Sequence, residues 1–146
     1  MNKIIYFLKG KYEFPNIGLL VLRIIAGYFL ITDHGWSKIT HPENWARLGG
    51  VVTKYFGGMI DSLSPMFGFL AAFSETVGAA LVIFGLFTQP ASILICGTMS
   101  FAALSSISRD GSPEKALIYF AIFAAIAIAG PGKYSIQKRF LSKSGD

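Results

Sequence analysis

Charge is scarce in this sequence. Only 14% of its residues are Asp, Glu, Lys or Arg, where a soluble domain carries about 25%, while 53% are hydrophobic and the mean hydropathy is +0.54. That balance excludes an ordinary water-soluble fold and points to a chain whose solvent is lipid. Cysteine is nearly absent: Cys96 is the single one and lies inside an apolar run. An intrachain disulfide, a CxxC redox pair and a thiolate set for zinc or an iron-sulfur cluster are therefore excluded. Histidine is equally sparse. His34 and His41 fall on one helix margin and the loop after it, which argues against haem ligation, and no metal site is expected. The formal charge of +5 and pI near 9.4 come without a basic helix or an aromatic-basic motif. The cations gather at the two ends beside apolar segments, where anionic lipid headgroups are the natural counter-charge. No nucleic-acid partner is expected; the bilayer is the expected one.

What is present is a series of apolar spans. The segment before Pro15 holds an apolar run of five, Ile4 to Leu8, between Lys3 and Lys9, short of a signal-peptide core. It reads as a cytoplasmic surface segment, with the following span retained as an anchor. Spans are expected over about 17–34, 66–87, 91–107 and 116–129, the last closed by Gly130-Pro131-Gly132. Thr88-Gln89-Pro90 reads as the turn between the second and third. Between the first two spans, Trp45, Leu48, Val52, Tyr55 and Met59 recur at helical spacing, with Glu43 and Arg47 as an i,i+4 pair. This predicts an amphipathic segment lying on the membrane surface or capping the bundle, although Gly49-Gly50 and Gly57-Gly58 weaken a helix there. The expected fold is all-α: one transmembrane domain over residues 1–146, an integral membrane four-helix bundle with this amphipathic surface segment.

Two embedded charges stand out. Arg23, Gly27, Leu30, His34 and Lys38 share one helix face, at spacings of 4, 3, 4 and 4. An arginine in hydrocarbon costs about 2.5–3.5 kcal/mol on insertion scales, so it needs a partner. Glu75 is the one charge of the second span and lies on a seam of small residues running from Gly68 through Ala71, Ala72, Gly78 and Ala79 to Gly85. Measured from the helix ends, Arg23 lies about 12 Å and Glu75 about 18 Å in from the same side. An Arg23–Glu75 bridge is expected from those depths. Such a pair either fixes the register of two helices or lines a ligand pocket or proton path. His34, with Trp36 nearby, is either part of the interfacial aromatic belt or a proton donor or acceptor for a ligand headgroup at the outer end.

The pattern Arg23-x3-Gly27-x-Phe29-x4-His34-Gly35-x2-Lys38, then Glu75-x2-Gly78-x6-Gly85-Leu86-x-Thr88, then Gly130-Pro131-Gly132-Lys133-Tyr134-Ser135 resembles the DoxX family of small four-helix membrane proteins. It departs from that family at Gln89, in place of a basic residue, and at Gln137, in place of an aspartate. The resemblance implies a bacterial inner (cytoplasmic) membrane protein, in some members the small subunit of a quinone-linked oxidoreductase. It moves Glu75 and His34 toward catalytic proton handling, and Arg23, Glu75, His34, Trp36 and Lys38 toward ligand binding. The ligand implied is a quinone or similar apolar molecule, with electrons supplied by a redox partner protein; a homo-oligomer stays open. The alternative is a non-catalytic assembly module or small-solute permease whose Arg-Glu pair is structural.

Four spans put both ends on one side. Lys3, Lys9, Lys11, Lys133, Lys138, Arg139 and Lys143 flank that side, against Lys38, Arg47, Lys54, Arg109 and Lys115 on the other. The excess predicts both termini in the cytoplasm. A reporter active only in the cytoplasm, fused to the C-terminus, is expected to report there, and one active only outside is expected to stay silent.

Overall fold

In hydrocarbon every backbone N–H and C=O must be satisfied within its own segment, so apolar runs of spanning length become helices. The computed structural model of the protein describes residues 14–143, and they are helix and turn with no strand among them. The N-terminal surface segment read from the sequence lies, up to residue 13, outside the described residues. The first leg is α1 (Phe14–Leu30), a π-turn (Ile31–Gly35) and α2 (Trp36–Ile39) in one continuous rod. The expected end at residue 34 is thus too early: the helix runs five residues further, and His34 and Lys38 lie inside it. The second leg is α4 (Ser64–Phe73), a second π-turn (Ser74–Gly78) and α5 (Ala79–Phe84). The third is α6 (Thr88–Ile107) and the fourth α7 (Glu114–Ala129), followed by the short α8 (Ile136–Lys143).

The segments Pro15–Ile39, Asp61–Phe84 and Thr88–Ile107 are long and apolar enough to cross a membrane. At 16 residues, or about 24 Å, α7 is near the short limit for a span. The chain is an all-α membrane helical bundle. Leu30, Val82, Ile95, Phe123 and Ile126, drawn from all four legs, are fully buried at its centre. The small-residue seam of the second leg faces inward as its periodicity predicts, with Gly68, Ala72, Glu75, Gly78, Ala79 and Gly85 all buried.

Two local expectations are corrected. The chain reverses between the second and third legs at Gly85–Phe87, and Thr88 is already helical. Gly85 takes φ +71°, which spares it the Cβ clash, and the Leu86 N–H reaches back to Leu81 O at 2.9 Å, closing α5 in a Schellman manner. Pro90 then falls in the first turn of α6, where its missing N–H costs little. The Glu43–Arg47 pair does not form, because Glu43 sits in a 3-10 turn (Pro42–Asn44) ahead of α3 (Trp45–Thr53) and off its helical register.

The amphipathic segment forms a helix only over α3, which packs onto α4; Tyr55 lies in a 3-10 turn (Lys54–Phe56) and Met59 in the turn after Gly57, whose φ of +61° ends the helical run. An added Cβ on Gly49 would sit 1.7 Å from Ser64 O, and one on Gly68 would sit 1.9 Å from Trp45 O. The glycine that weakens a helix by propensity is here what lets two backbones touch. Thr53 Oγ1 and Ser64 Oγ, both buried, share a hydrogen bond of 3.0 Å, and the Trp45 and Phe69 rings stack 5.0 Å apart. Gly49→Ala is therefore expected to cost about 1–3 kcal/mol by overpacking. Gly50→Ala, which meets nothing within 4 Å, should be neutral or stabilising. Thermal unfolding in detergent, followed by tryptophan fluorescence, checks the contrast.

Candidate functional site

The two π-turns meet face to face. A π-turn inserts one extra residue into a helix, leaves part of the carbonyl ladder without helical partners, and recurs at functional positions. Hydroxyls add bonds to the backbone here: Thr32 Oγ1 donates to Tyr28 O (3.1 Å), Ser74 Oγ to Ala71 O (2.9 Å) and Thr76 Oγ1 to Ala72 O (2.7 Å). Ser74 also bonds Thr98 of α6 at 2.8 Å, which ties the second π-turn to the third leg. Gly35 is pressed against the backbone of Glu75, so that an added Cβ would lie 2.4 Å from Glu75 O. Any side chain at that position would drive the two turns apart.

This contact puts Glu75 within reach of Lys38. The Lys38 ammonium lies 2.6 Å from both carboxylate oxygens of Glu75, whose side chain is completely buried while that of Lys38 is 23% exposed. Lys38 is held in turn by the indole N–H of Trp45, which donates to its carbonyl at 2.9 Å. Among the described residues this is the one ion pair.

The expected Arg23–Glu75 bridge is therefore not formed. Arg23 is buried, and its guanidinium donates to three carbonyls: Nε to Val82 O (2.9 Å), Nη2 to Ile83 O (3.0 Å) and Nη1 to Pro131 O. The first two are among the last carbonyls of α5, at the negative end of its dipole, and Val82 O also accepts the Gly85 N–H at 3.1 Å. The third belongs to the Gly130-Pro131-Gly132 turn. Gly85, Ser135 and Gln137 complete this knot: an added Cβ on Gly85 would meet Ser135 Cβ at 2.5 Å, and the Gln137 N–H bonds Gly85 O at 3.2 Å. The physical reason is register. Arg23 lies level with Val82 and Ile83, seven residues or about 10 Å beyond Glu75, because the two legs do not start flush.

Next to the Lys38–Glu75 pair opens a cavity of about 490 Å³ between α3, α4 and α6. Its wall is mainly apolar, with Leu48 and Val52 from α3, Phe67 and Leu70 from α4, and Ile93 and Phe101 from α6; Arg47 and Arg109 also line it. Size and lining match those of small-molecule sites. The structure brings Lys38 and Glu75 together at this cavity. It places His34 beside them in sequence but on another neighbour: the half-buried ring packs edge-on against Tyr119 of α7, 5.6 Å between centroids. Trp36 is 64% exposed and does not line the cavity. Tyr119 went unremarked in the sequence as a functional residue, and only its place near the start of the fourth leg, level with the π-turns, could have flagged it. Among the described residues no three His, Cys, Asp or Glu side chains converge on a metal position.

The family model DoxX matches residues 18–106, more than half of the chain. That stretch holds both π-turns, Arg23, Lys38 and Glu75, whereas the Gly130-Pro131-Gly132 turn lies beyond it. No curated protein and no solved structure matches the chain.

The two polar constellations predict different mutational couplings. In a double-mutant cycle, Lys38→Met with Glu75→Gln should recover at least about 1 kcal/mol of the loss caused by breaking a buried pair singly. Arg23→Ala with Glu75→Gln should be additive within about 0.5 kcal/mol. Unfolding free energies of the three single and two double variants in detergent, against wild type, measure both.

Proposed function

The chain belongs to the DoxX family, and from that premise we propose that it is a redox-linked membrane subunit holding a quinone or similar apolar ligand in the cavity between α3, α4 and α6. The observation that carries this reading is a cavity of ligand size whose apolar wall ends on a completely buried carboxylate paired with lysine. Intramembrane ionisable residues facing a cavity mark ligand or proton sites more often than they mark packing.

The residues present fit such a ligand. Val52, Phe67, Leu70 and Ala71 would hold a ring and the first part of an isoprenoid chain, and the exposed Ile93 and Leu94 leave the cavity open toward lipid. A bound quinone supplies two-electron, two-proton redox chemistry. Lys38 Nζ is the hydrogen-bond donor available to a carbonyl oxygen, and the Glu75 carboxylate is the group able to take or return a proton. Lys38 orients the Glu75 side chain through its contact at 2.6 Å, while the packed π-turns cover the far side. In this reading electrons come from a partner protein, both termini face the cytoplasm, and the protein resides in the bacterial inner membrane. Arg23 serves as the clamp of the opposite end of the bundle.

A cavity-filling variant tests the site without breaking the ion pair. Gly97 lines the cavity, and a Cβ there would meet nothing within 4 Å, so Gly97→Leu adds bulk only to open space. Titration of a short-chain quinone into purified protein is expected to show binding weakened at least about ten-fold, or 1.4 kcal/mol, by Gly97→Leu and by Glu75→Gln. Equal binding to wild type and Gly97→Leu would remove the cavity as the site.

A further inference from the structure

The cavity carries more positive charge than its ion pair uses. Lys38, Arg47 and Arg109 line it with Glu75 as the sole carboxylate, and Lys38 already neutralises Glu75. Arg47 projects from α3, and Arg109 follows the end of α6. Both are exposed, and among the described residues neither has a carboxylate within ion-pair distance. The two segments that bear them are held side by side: Tyr55, just after α3, hydrogen-bonds Ser108 at 3.4 Å and lays its ring 6.3 Å from that of Phe101. Inward from the arginines the wall is Leu48, Val51, Phe101 and Ala102. Two unpaired guanidinium groups therefore stand at the edge of an apolar cavity, Arg109 just beyond the end of the membrane-length helix Thr88–Ile107.

We propose that this mouth is a headgroup subsite for an anionic phospholipid, whose phosphate lies against Arg47 and Arg109 and whose acyl chain enters the outer part of the cavity. This goes beyond the quinone reading, since it concerns the mouth and not the Lys38–Glu75 floor. Guanidinium forks suit phosphate, donating two parallel N–H bonds to its oxygens. A free anion would use the arginines but leave the apolar wall bare, and an uncharged lipid would use the wall but leave the arginines unpaired; an anionic lipid satisfies both. Each arginine near a headgroup contributes a preference of about five-fold.

The test reconstitutes the full chain in equimolar phosphatidylglycerol and phosphatidylcholine, exchanges it into detergent, and counts the retained lipids by mass spectrometry. Wild type is expected to retain phosphatidylglycerol in roughly ten-fold excess or more, Arg47→Gln and Arg109→Gln each to lower that excess several-fold, and the double variant to abolish it. Lys54→Gln, on the same surface but outside this cavity, should leave it unchanged. Equal retention of the two lipids by wild type would overturn the proposal. So would an equal loss in Lys54→Gln, which marks diffuse surface charge, or displacement of the lipid by inorganic phosphate, which marks a free-anion site. Quinone titration of the double variant separates the two readings: binding that persists while lipid preference is lost supports the headgroup subsite and leaves the quinone site standing.

Discussion

A carboxylate with no exposure at all, midway along a membrane helix, has to be answered by a cation at contact distance, because an isolated charge in a low-dielectric interior costs several kcal/mol or more. Glu75 is such a group, and Lys38 answers it at 2.6 Å. Much of the bundle's geometry follows from making that contact. Lysine must enter from the far end of the first leg, so the leg continues helical past His34 to Ile39. The two legs must approach closely enough for the lysine stem to reach, and the Gly35 backbone against the Glu75 backbone supplies that approach. Both helices widen into π-turns at this crossing, with the hydroxyls of Thr32, Ser74 and Thr76 bonded back to carbonyls of the preceding turn.

The second polar centre has a different purpose. Arg23 is also buried, yet it faces backbone carbonyls where Glu75 faces a cation. Three acceptors from two segments far apart in sequence make it a clamp: it closes the end of α5 and fastens the turn after α7 to the first leg. The charge is met by the dipole end of a helix and needs no counter-ion. Of the two centres, the polar group that opens on a cavity is the Lys38–Glu75 pair and not the arginine. The bundle is held at one end by a knot of backbone acceptors and carries its buried ion pair toward the other.

Much of this was legible in the residues and some was not. Apolar length located the three membrane-length helices to within five residues, and the 3-and-4 repeat of small residues correctly turned Glu75 inward. The partner was misread because depth had been measured from helix ends as though the legs were flush; the axial gap from Arg23 to Glu75 is about 10 Å where flush ends gave about 6 Å, and that offset exchanges one cation for another. Lys38 was on the right face all along, but a lysine at the end of a span reads as a snorkelling interfacial group until the partner helix is seen beneath it. The π-turns leave no mark in hydrophobic periodicity. Gly49 misled in the opposite direction, since helix propensity counts a glycine as a loss and cannot register that α4 crosses there. The cavity depends on that crossing, because α3 forms one of its walls.

The central claim is that Glu75 is paired with Lys38 and not with Arg23. It is tested most directly by solid-state NMR on protein in bilayers, labelled with ¹³C in glutamate side chains and ¹⁵N in lysine and arginine side chains. A through-space correlation between the Glu75 carboxyl carbon and the Lys38 ammonium nitrogen is predicted, with none to the Arg23 guanidinium. A Glu75–Arg23 correlation in its place would contradict the account.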